Sequence, residues 1–192
     1  MWPWEHVAVA YLGYSLFTRV AYRRSPRGDA VLAVAVAALL PDLVDKPLAW
    51  GLHVLPSGRS LAHSLLFAAS AVSLSAFVTG RRVAIAFALG YSFHLGGDVV
   101  YPMALEQPPA YRFLLWPLVD QPATETPGLL FRAQHLLVEF LAFLQTTRGR
   151  IYVFFEGALL GSAVLLWILD GRPGPRTVRS WVDSGREGPR GT

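Results

Sequence analysis

The residues of this sequence that could do chemistry are histidines and carboxylates scattered through an otherwise apolar chain. An ionisable group at membrane depth is rare unless it faces a cavity, a partner or an ion. The chain has no cysteine, so any metal must be held by imidazole and carboxylate, which favours zinc. The candidates that hydropathy and loop charge bring to one membrane face are His6, Asp42, His63, His94, Asp98 and His135.

Two histidine–carboxylate pairs have the spacing of a single helix face. His94 and Asp98 are four residues apart in one apolar segment, and His135 and Glu139 repeat this spacing in a later one. Side chains at i and i+4 project from the same side of a helix, so each pair can hold an ion. One such pair is weak evidence, but two within apolar segments favour metal binding. We predict all four residues as ligands.

Two aspartates end the second apolar segment, in the sequence Pro-Asp-Leu-Val-Asp. Carboxylates that face one cavity repel each other unless a cation or a shared proton lies between them. We therefore predict Asp42 as a metal ligand and Asp42 or Asp45 as a general base. The alternative is a solvated helix end in which Asp45 pairs with Lys46.

Arg59 lies just before an apolar segment, and His63 is expected on the first helical turn of that segment. The planar guanidinium group of arginine matches a phosphate, and the free amides of a first helical turn also favour an anion. Ser60 is placed to cap the helix. We predict that Arg59 binds the anionic group of a substrate, and anchoring to a lipid headgroup is the alternative.

The composition is that of a membrane protein. The chain is 53% hydrophobic and 16% charged, with a mean hydropathy of +0.39, whereas an average soluble domain has roughly 25% charged residues. A pI near 9.8 could suggest nucleic-acid binding. The arginines, however, lie between apolar segments or in the tail, where membrane topology and lipid headgroups explain them, so we predict no nucleic-acid partner.

Six apolar segments predict an all-α fold, a polytopic transmembrane helix bundle with about five to six membrane helices. Residues 1–170 form one membrane-embedded domain, and residues 171–192 form a basic tail predicted to be disordered from its composition. The expected location is the inner, cytoplasmic membrane, with the lipid bilayer as partner. The predicted segments are 5–22, 29–45, 61–79, 83–103, 129–145 and 151–169.

Arginine clusters predict how these segments cross the membrane. They follow the first, third and fifth segments, so they share one face if six helices alternate, and the positive-inside rule makes that face cytoplasmic. The candidate ligands then fall near the outer face. The basic tail would also lie outside, which conflicts with the rule unless the last helix does not cross fully. The clustered arginines are Arg19, Arg23, Arg24, Arg27, Arg81, Arg82, Arg148 and Arg150.

Two other features are interpreted from this topology. Residues 104–128, rich in proline and too short to span, are expected to form an outer loop over the site, in the position of a lid. Glu156, at the start of the sixth segment, is expected on the arginine side in a pair with Arg148 or Arg150.

The order and spacing of these motifs resemble a known family over about residues 1–105. An early histidine, Pro-Asp-x-x-Asp, an arginine followed four residues later by His-Ser, and His-x-x-x-Asp are the pattern of the inner-membrane-associated metal-dependent hydrolases, some of which are described as LexA-binding. The resemblance implies metal-dependent hydrolysis at the inner membrane. The matching residues are His6, Asp42, Asp45, Arg59, His63, Ser64, His94 and Asp98.

The set is also distantly similar to the zinc-dependent phospholipase C and P1-type nuclease group, which are helical enzymes with a trinuclear zinc site. This similarity implies that His135 and Glu139 form a later ligand pair. It further implies ligand roles for His6, Asp42, His63, His94 and Asp98.

The leading hypothesis is a membrane enzyme that uses one to three zinc ions, or another divalent cation, to hydrolyse an ester or phosphoester, including that of a phospholipid. Zinc lowers the pKa of bound water to about 7 and stabilises negative charge on the attacked group. Asp98 is the expected bridging ligand. The alternative is a non-enzymatic membrane protein, an ion or proton carrier or a partner-binding subunit that uses the same polar cluster. A third interpretation is a structural protein whose histidines only hydrogen-bond between helices.

Overall fold

The computed structural model describes residues 1–105 and 107–186, and this part of the chain is helical with no β-strand. A π-helical turn, Pro47–Gly51, continues the second helix, and short 3₁₀ turns cover Tyr101–Leu105 and Arg112–Leu115. The predicted segments match helices to within a few residues. The α-helices are α1 (Pro3–Tyr22), α2 (Gly28–Lys46), α3 (Leu65–Thr79), α4 (Arg81–Val100), α5 (Leu129–Leu144), α6 (Thr147–Leu169) and α7 (Pro175–Arg186).

Small residues hold α1, α2 and α4 close together. At Gly90 of α4, an added Cβ would lie 2.7 Å from the backbone oxygen of Val34 on α2. Only glycine allows the two helices to approach this closely, as is common between helices in membranes. The buried core between the three helices is otherwise made of Ala10, Tyr14, Ala30, Val34, Ala38 and Ala86.

The first four helices alternate in direction, as the arginine clusters predicted. We call the end of this bundle that carries His6, Asp45 and Asp98 the site face, and the opposite end, with Arg19 and Arg82, the arginine face. Helices α1 and α3 start at the site face, whereas α2 and α4 end there. This arrangement brings the polar residues of four segments to one level.

Helix α5 does not cross between the two faces. Near its start, Arg132 lies over the Trp50 ring, with 5.9 Å from Cζ to the ring centroid. Towards its end, the ring of Phe140 lies 4.7 Å from that of Trp2. Trp50 and Trp2 both belong to the site face, so α5 lies across that face.

As a result, α6 runs parallel to α1 rather than antiparallel to it. At the site face, Glu156 accepts a 2.7 Å hydrogen bond from Trp4 Nε1. At the other end, Asp170 accepts hydrogen bonds of 2.7 Å from Tyr11 and Ser15 and pairs with Arg19. The expectation that Glu156 lies on the arginine side was therefore wrong.

The parallel α6 also resolves the conflict over the basic tail. The chain leaves α6 at the arginine face, and α7 packs against the start of α2, where Gly174 lies beside Gly28. The tail thus joins the main arginine clusters, while Arg148 and Arg150 start α6 at the site face, contrary to prediction.

The segment 171–186, expected to be disordered, contains α7 because Val178 and Val182 give it one apolar side. Residues 187–192 lie outside the described part.

Two of the described helices are long and apolar enough to span a bilayer. One is Arg81–Met103, which is α4 with the start of the 3₁₀ turn that follows it, and the other is Thr147–Leu169, which is α6. Helix α3 is apolar but shorter. The structure confirms the all-helical class, and the predicted count of five to six membrane helices is not confirmed.

Single cysteines can test this topology, because the chain has no cysteine of its own. We expect Gln134→Cys on α5 to react with a membrane-impermeant maleimide in cells with a permeabilised outer membrane. Arg24→Cys and Arg179→Cys should react only after the inner membrane is opened, since both lie on the arginine face. Labelling of Arg179→Cys together with Gln134→Cys would contradict the parallel α6 and restore the six-span alternation.

Candidate metal centre

Four segments bring their polar side chains to one buried point at the site face. His6 comes from α1, Asp42 and Asp45 from α2, His63 from the loop before α3, and His94 and Asp98 from α4. Each of these side chains is at most 8% exposed. The convergence that the sequence predicted is therefore present for His6, Asp42, His63, His94 and Asp98.

Asp45 organises the loop before α3 rather than facing the centre. Its side chain is fully buried, and its carboxylate accepts hydrogen bonds from the backbone N–H groups of Ser60 and Ala62, both at 2.8 Å, and of His63 at 3.2 Å. It also accepts one from His63 Nδ1 at 2.8 Å. With four donors on two oxygens, Asp45 is a positioning residue, and the expected role as ligand or general base is corrected.

The start of α3 differs from prediction for the same reason. The Ser60 N–H group is bound by Asp45, and the cap of α3 is Ser64, whose Oγ accepts a 3.2 Å hydrogen bond from the Phe67 N–H. His63 consequently lies just before the helix, not on its first turn.

The ring of His63 is oriented by Asp45. A carboxylate can only accept, so Nδ1 carries a proton and Nε2 points to the centre. Burial alone would lower the pKa of His63, but hydrogen bonds with Asp42, Asp45 and Asp98 outweigh burial and raise that pKa to about 10. The surroundings of His63 therefore favour a positive charge at this point.

The ring of His94 is oriented by a backbone carbonyl of α2. Its Nδ1 lies 2.8 Å from the Ala38 oxygen, which can only accept, so Nδ1 carries the proton and Nε2 presents a lone pair. Pro41 lies one turn further along α2 and has no N–H for the helical hydrogen bond to Ala37. The proline therefore loosens the helical hydrogen bonding of α2 next to the carbonyl that accepts from His94.

The two inward-facing nitrogens meet at the centre. His63 Nε2 and His94 Nε2 are 3.1 Å apart. Two lone pairs at this distance repel unless a cation, either a proton or a metal ion, lies between them. Metal-binding histidines are held in orientation by acceptors on their other ring nitrogen, as Asp45 and the Ala38 oxygen hold these two rings.

Asp98 lies between His63 and His6. Its Oδ2 is 3.5 Å from His63 Nε2, and its Oδ1 is 3.4 Å from His6 Nε2. His6 is 1% exposed, and neither of its ring nitrogens has a hydrogen-bond partner among the described residues. The nearest acceptor to His6 Nε2 is the Asp98 carboxylate at 3.4 Å. A buried ring nitrogen that makes no hydrogen bond is costly, and a metal ion would satisfy it.

Asp42 completes the cluster opposite Asp98. Its Oδ1 lies 3.6 Å from His63 Nε2, and its Oδ2 accepts a 2.6 Å hydrogen bond from Lys46 Nζ. Lys46 thus pairs with Asp42 and not with Asp45, so the alternative of a solvated helix end does not hold.

The separations between the ligand atoms are those of a site that could bind a metal ion. Four of them run from 3.1 to 3.6 Å, and within each ligand group all of the ligand atoms lie within 4.8 Å of one another. The ligands form two overlapping groups that share His94. One contains His6, His94 and Asp98, and the other contains Asp42, His63 and His94. A membrane protein with this cluster could bind a metal ion.

Arg59 and the loop that follows α4 border the centre. Arg59 Nε binds Asp98 Oδ2 at 2.8 Å, and its side chain is 38% exposed. Phe113 is buried, with its ring centroid 5.8 Å from that of His63 and 6.0 Å from Arg59 Cζ. Thr124 N–H donates to the Pro56 oxygen at 2.7 Å. The described part of residues 104–128 therefore lies over the site, as predicted.

His135 and Glu139 do not join the cluster. Their side chains are 48% and 58% exposed and lie 3.2 Å apart on the outer side of α5. The ring of His135 stacks on Phe131. Because α5 lies across the site face instead of entering the bundle, these residues point away from the centre, and their prediction as ligands is corrected.

One functional neighbour was missed from the sequence. The Tyr91 hydroxyl donates to the Ala62 oxygen and so holds the loop next to His63. Tyr91 precedes His94 by three residues and Asp98 by seven, which places all three on one face of α4. This spacing was the signal that could have found it.

Comparison with known proteins decides the broad class. The family model described as YdjM inner membrane protein matches residues 1–172. The chain belongs to the YdjM inner membrane protein family. The location expected from its composition, the inner membrane, is thereby confirmed, and all the clustered residues lie within the matched YdjM region.

Searches of curated proteins and of solved structures give no match. The distant similarity to zinc-dependent phospholipase C and P1-type nucleases has no support in these comparisons. Membership of the YdjM family agrees with the resemblance to inner-membrane proteins that the motifs indicated.

Proposed function

We propose that this protein is a membrane-bound metal-dependent hydrolase that acts on an ester or phosphoester. The observation that carries the proposal is the pair of Nε2 atoms of His63 and His94 at 3.1 Å, each ring fixed from behind by an acceptor. Two pre-oriented rings with carboxylates beside them are the arrangement that binds zinc.

The proposed ligands are His6, Asp42, His63, His94 and Asp98, which would hold one to three zinc ions. Zinc bound there would supply an acidic water and would stabilise negative charge on the attacked group. In hydrolysis, the hydroxyl part of water bonds to phosphorus or the acyl carbon, the bond to the alcohol oxygen breaks, and that oxygen gains a proton. Asp42 is held by Lys46 through Oδ2, which leaves its Oδ1, 3.6 Å from His63 Nε2, as the proposed ligand atom.

Arg59 is the proposed binding group for the anionic part of the substrate. It stands at the edge of the cluster with its guanidinium partly exposed, whereas the ligands around it are buried. A partly exposed arginine beside a buried centre can bind a phosphate or carboxylate oxygen without leaving Asp98.

Hydrolysis of water-soluble chromogenic esters and phosphodiesters by the zinc-loaded protein tests the proposal. We expect zinc-dependent turnover, and Arg59→Ala should lower kcat/KM for an anionic substrate by about 100-fold without loss of bound zinc. Arg59→Lys should restore part of it. Arg112→Ala, which changes an exposed arginine of the covering loop, is the matched control.

Turnover that is independent of zinc, or no turnover of either substrate above the detergent background, would contradict hydrolysis. Transport of a cation by the reconstituted protein, with equal effects of Arg59→Ala and Arg112→Ala, would favour a carrier instead.

A further inference from the structure

The ring of His6 is held differently from the other two histidines of the centre. Among the described residues, neither of its nitrogens makes a hydrogen bond, whereas His63 and His94 each have an acceptor on Nδ1. The His6 ring instead stacks on that of His94, with 3.8 Å between their centroids. Stacking fixes the plane of a ring but not the position of its nitrogens within that plane. The backbone that carries His6 must therefore fix this position.

That backbone belongs to the first turn of α1, and Glu5 closes the turn. The Glu5 carboxylate accepts a hydrogen bond from the N–H of Trp2, the N-cap residue of the helix. An acidic side chain at this position satisfies an amide that the helix itself leaves without a partner. Because His6 is the next residue, a shift of Glu5 would move the backbone that carries the His6 ring.

Glu5 is in turn held by α6. Its side chain is 2% exposed, and its other oxygen accepts a hydrogen bond from the Tyr152 hydroxyl. The rings of Phe140 and Phe143 on α5 meet the Tyr152 ring edge-on, with centroids 5.9 and 5.6 Å away. These contacts hold the tyrosine ring in place beside Glu5. The hairpin of α5 and α6 thus reaches the first turn of α1 through one hydroxyl.

We propose that Tyr152 and Glu5 are positioning residues of the metal centre, through which α6 holds His6 Nε2 beside Asp98. The two atoms that must stay close are His6 Nε2 and Asp98 Oδ1, now 3.4 Å apart. This inference rests on the proposed function, in which His6 is a ligand, and it makes metal binding depend on the position of the α5–α6 hairpin. Neither Tyr152 nor Glu5 is itself a ligand.

The test compares Tyr152→Phe with Tyr11→Phe in the full protein in detergent. Each substitution removes one hydroxyl that joins α1 to α6 through a carboxylate, Tyr152 at the site face and Tyr11 at the arginine face. A buried carboxylate that loses a donor is destabilised and shifts. We expect Tyr152→Phe to weaken zinc binding about 10-fold, the lower end of the loss for residues that orient a ligand. Tyr11→Phe, the matched control, should leave zinc binding unchanged.

A second measurement needs no metal. Diethyl pyrocarbonate modifies exposed or loosely held histidines, and mass spectrometry of the metal-free protein gives the rate for each one. We expect His6 to react about tenfold faster in Tyr152→Phe than in the wild type, because the opening is local. His63 and His94 should keep their rates, since their own acceptors are untouched.

Two variants of Glu5 test the same link from its other side. Glu5→Ala should raise the reaction rate of His6 as Tyr152→Phe does. Glu5→Gln should not, because its oxygen can accept from the Trp2 N–H while its amide nitrogen donates to the Tyr152 hydroxyl. This pair decides the inference even if Tyr152→Phe does not fold.

Equal effects of the two tyrosine substitutions, or faster reaction of all three histidines together, would overturn the positioning role and leave the metal centre. The same holds if Glu5→Ala and Glu5→Gln behave alike. A wild-type protein that binds no zinc would remove the proposed function, while the reaction rate of His6 still decides whether Tyr152 and Glu5 hold that ring.

Discussion

Asp45→Ala should destabilise the protein by about 3–5 kcal/mol, the range for breaking a buried charged network. The substitution removes the acceptor of three backbone N–H groups and of His63 Nδ1, all of them buried. Each buried donor left without a partner costs about 1–3 kcal/mol. The loss of these hydrogen bonds also frees the ring of His63, so bound zinc should weaken by about 10–100-fold.

Unfolding in detergent, followed by circular dichroism against denaturant, measures the first effect, and zinc titration of the folded protein measures the second. Asp29→Ala is the matched control, because Asp29 is a carboxylate near the other end of the same helix. Among the described residues, it is bound by the Ala30 N–H and by Arg27. An Asp45→Ala protein as stable as Asp29→Ala would show that the loop before α3 is held by other contacts.

Much of the centre could be predicted because its residues obey rules that are local in sequence. His94 and Asp98 lie four apart on an apolar helix, and Asp42 follows a proline near the end of another. Apolar segments gave the helix limits, and arginine clusters gave the direction of the first four helices. Together these rules place His6, Asp42, His63, His94 and Asp98 at one level.

Helix α5 could not be placed by the same rules. A helix of sixteen residues is apolar enough to cross or to lie flat, and hydropathy does not distinguish the two. The choice is made by tertiary contacts of Trp50 and Trp2 with its two ends. Once α5 lies flat, His135 points away from the centre and α6 reverses its expected direction.

The role of Asp45 could not be predicted either, because an aspartate that binds a metal and an aspartate that holds a loop are the same residue in the sequence. Only the positions of the Ser60, Ala62 and His63 amides separate these roles.

The histidines of the centre and of α5 should differ sharply in their effect on bound zinc. His94→Ala removes an inward Nε2 shared by both ligand groups. We expect at least a 100-fold loss of zinc affinity, because the loss of a residue that only orients a ligand already costs about 10–100-fold. His135→Ala, the matched control, removes an exposed imidazole and should leave affinity unchanged. Both proteins should elute as folded monodisperse species, which excludes misfolding as the cause.

The most direct measurement is the zinc content of the detergent-purified wild-type protein beside these two variants, by elemental analysis after dialysis against a weak chelator. The centre described above requires at least one zinc per chain in the wild type and in His135→Ala, and less than about a tenth as much in His94→Ala. Wild-type protein that holds less than a tenth of an equivalent of zinc or any other divalent metal, or equal metal in all three proteins, would contradict a metal centre formed by His6, Asp42, His63, His94 and Asp98.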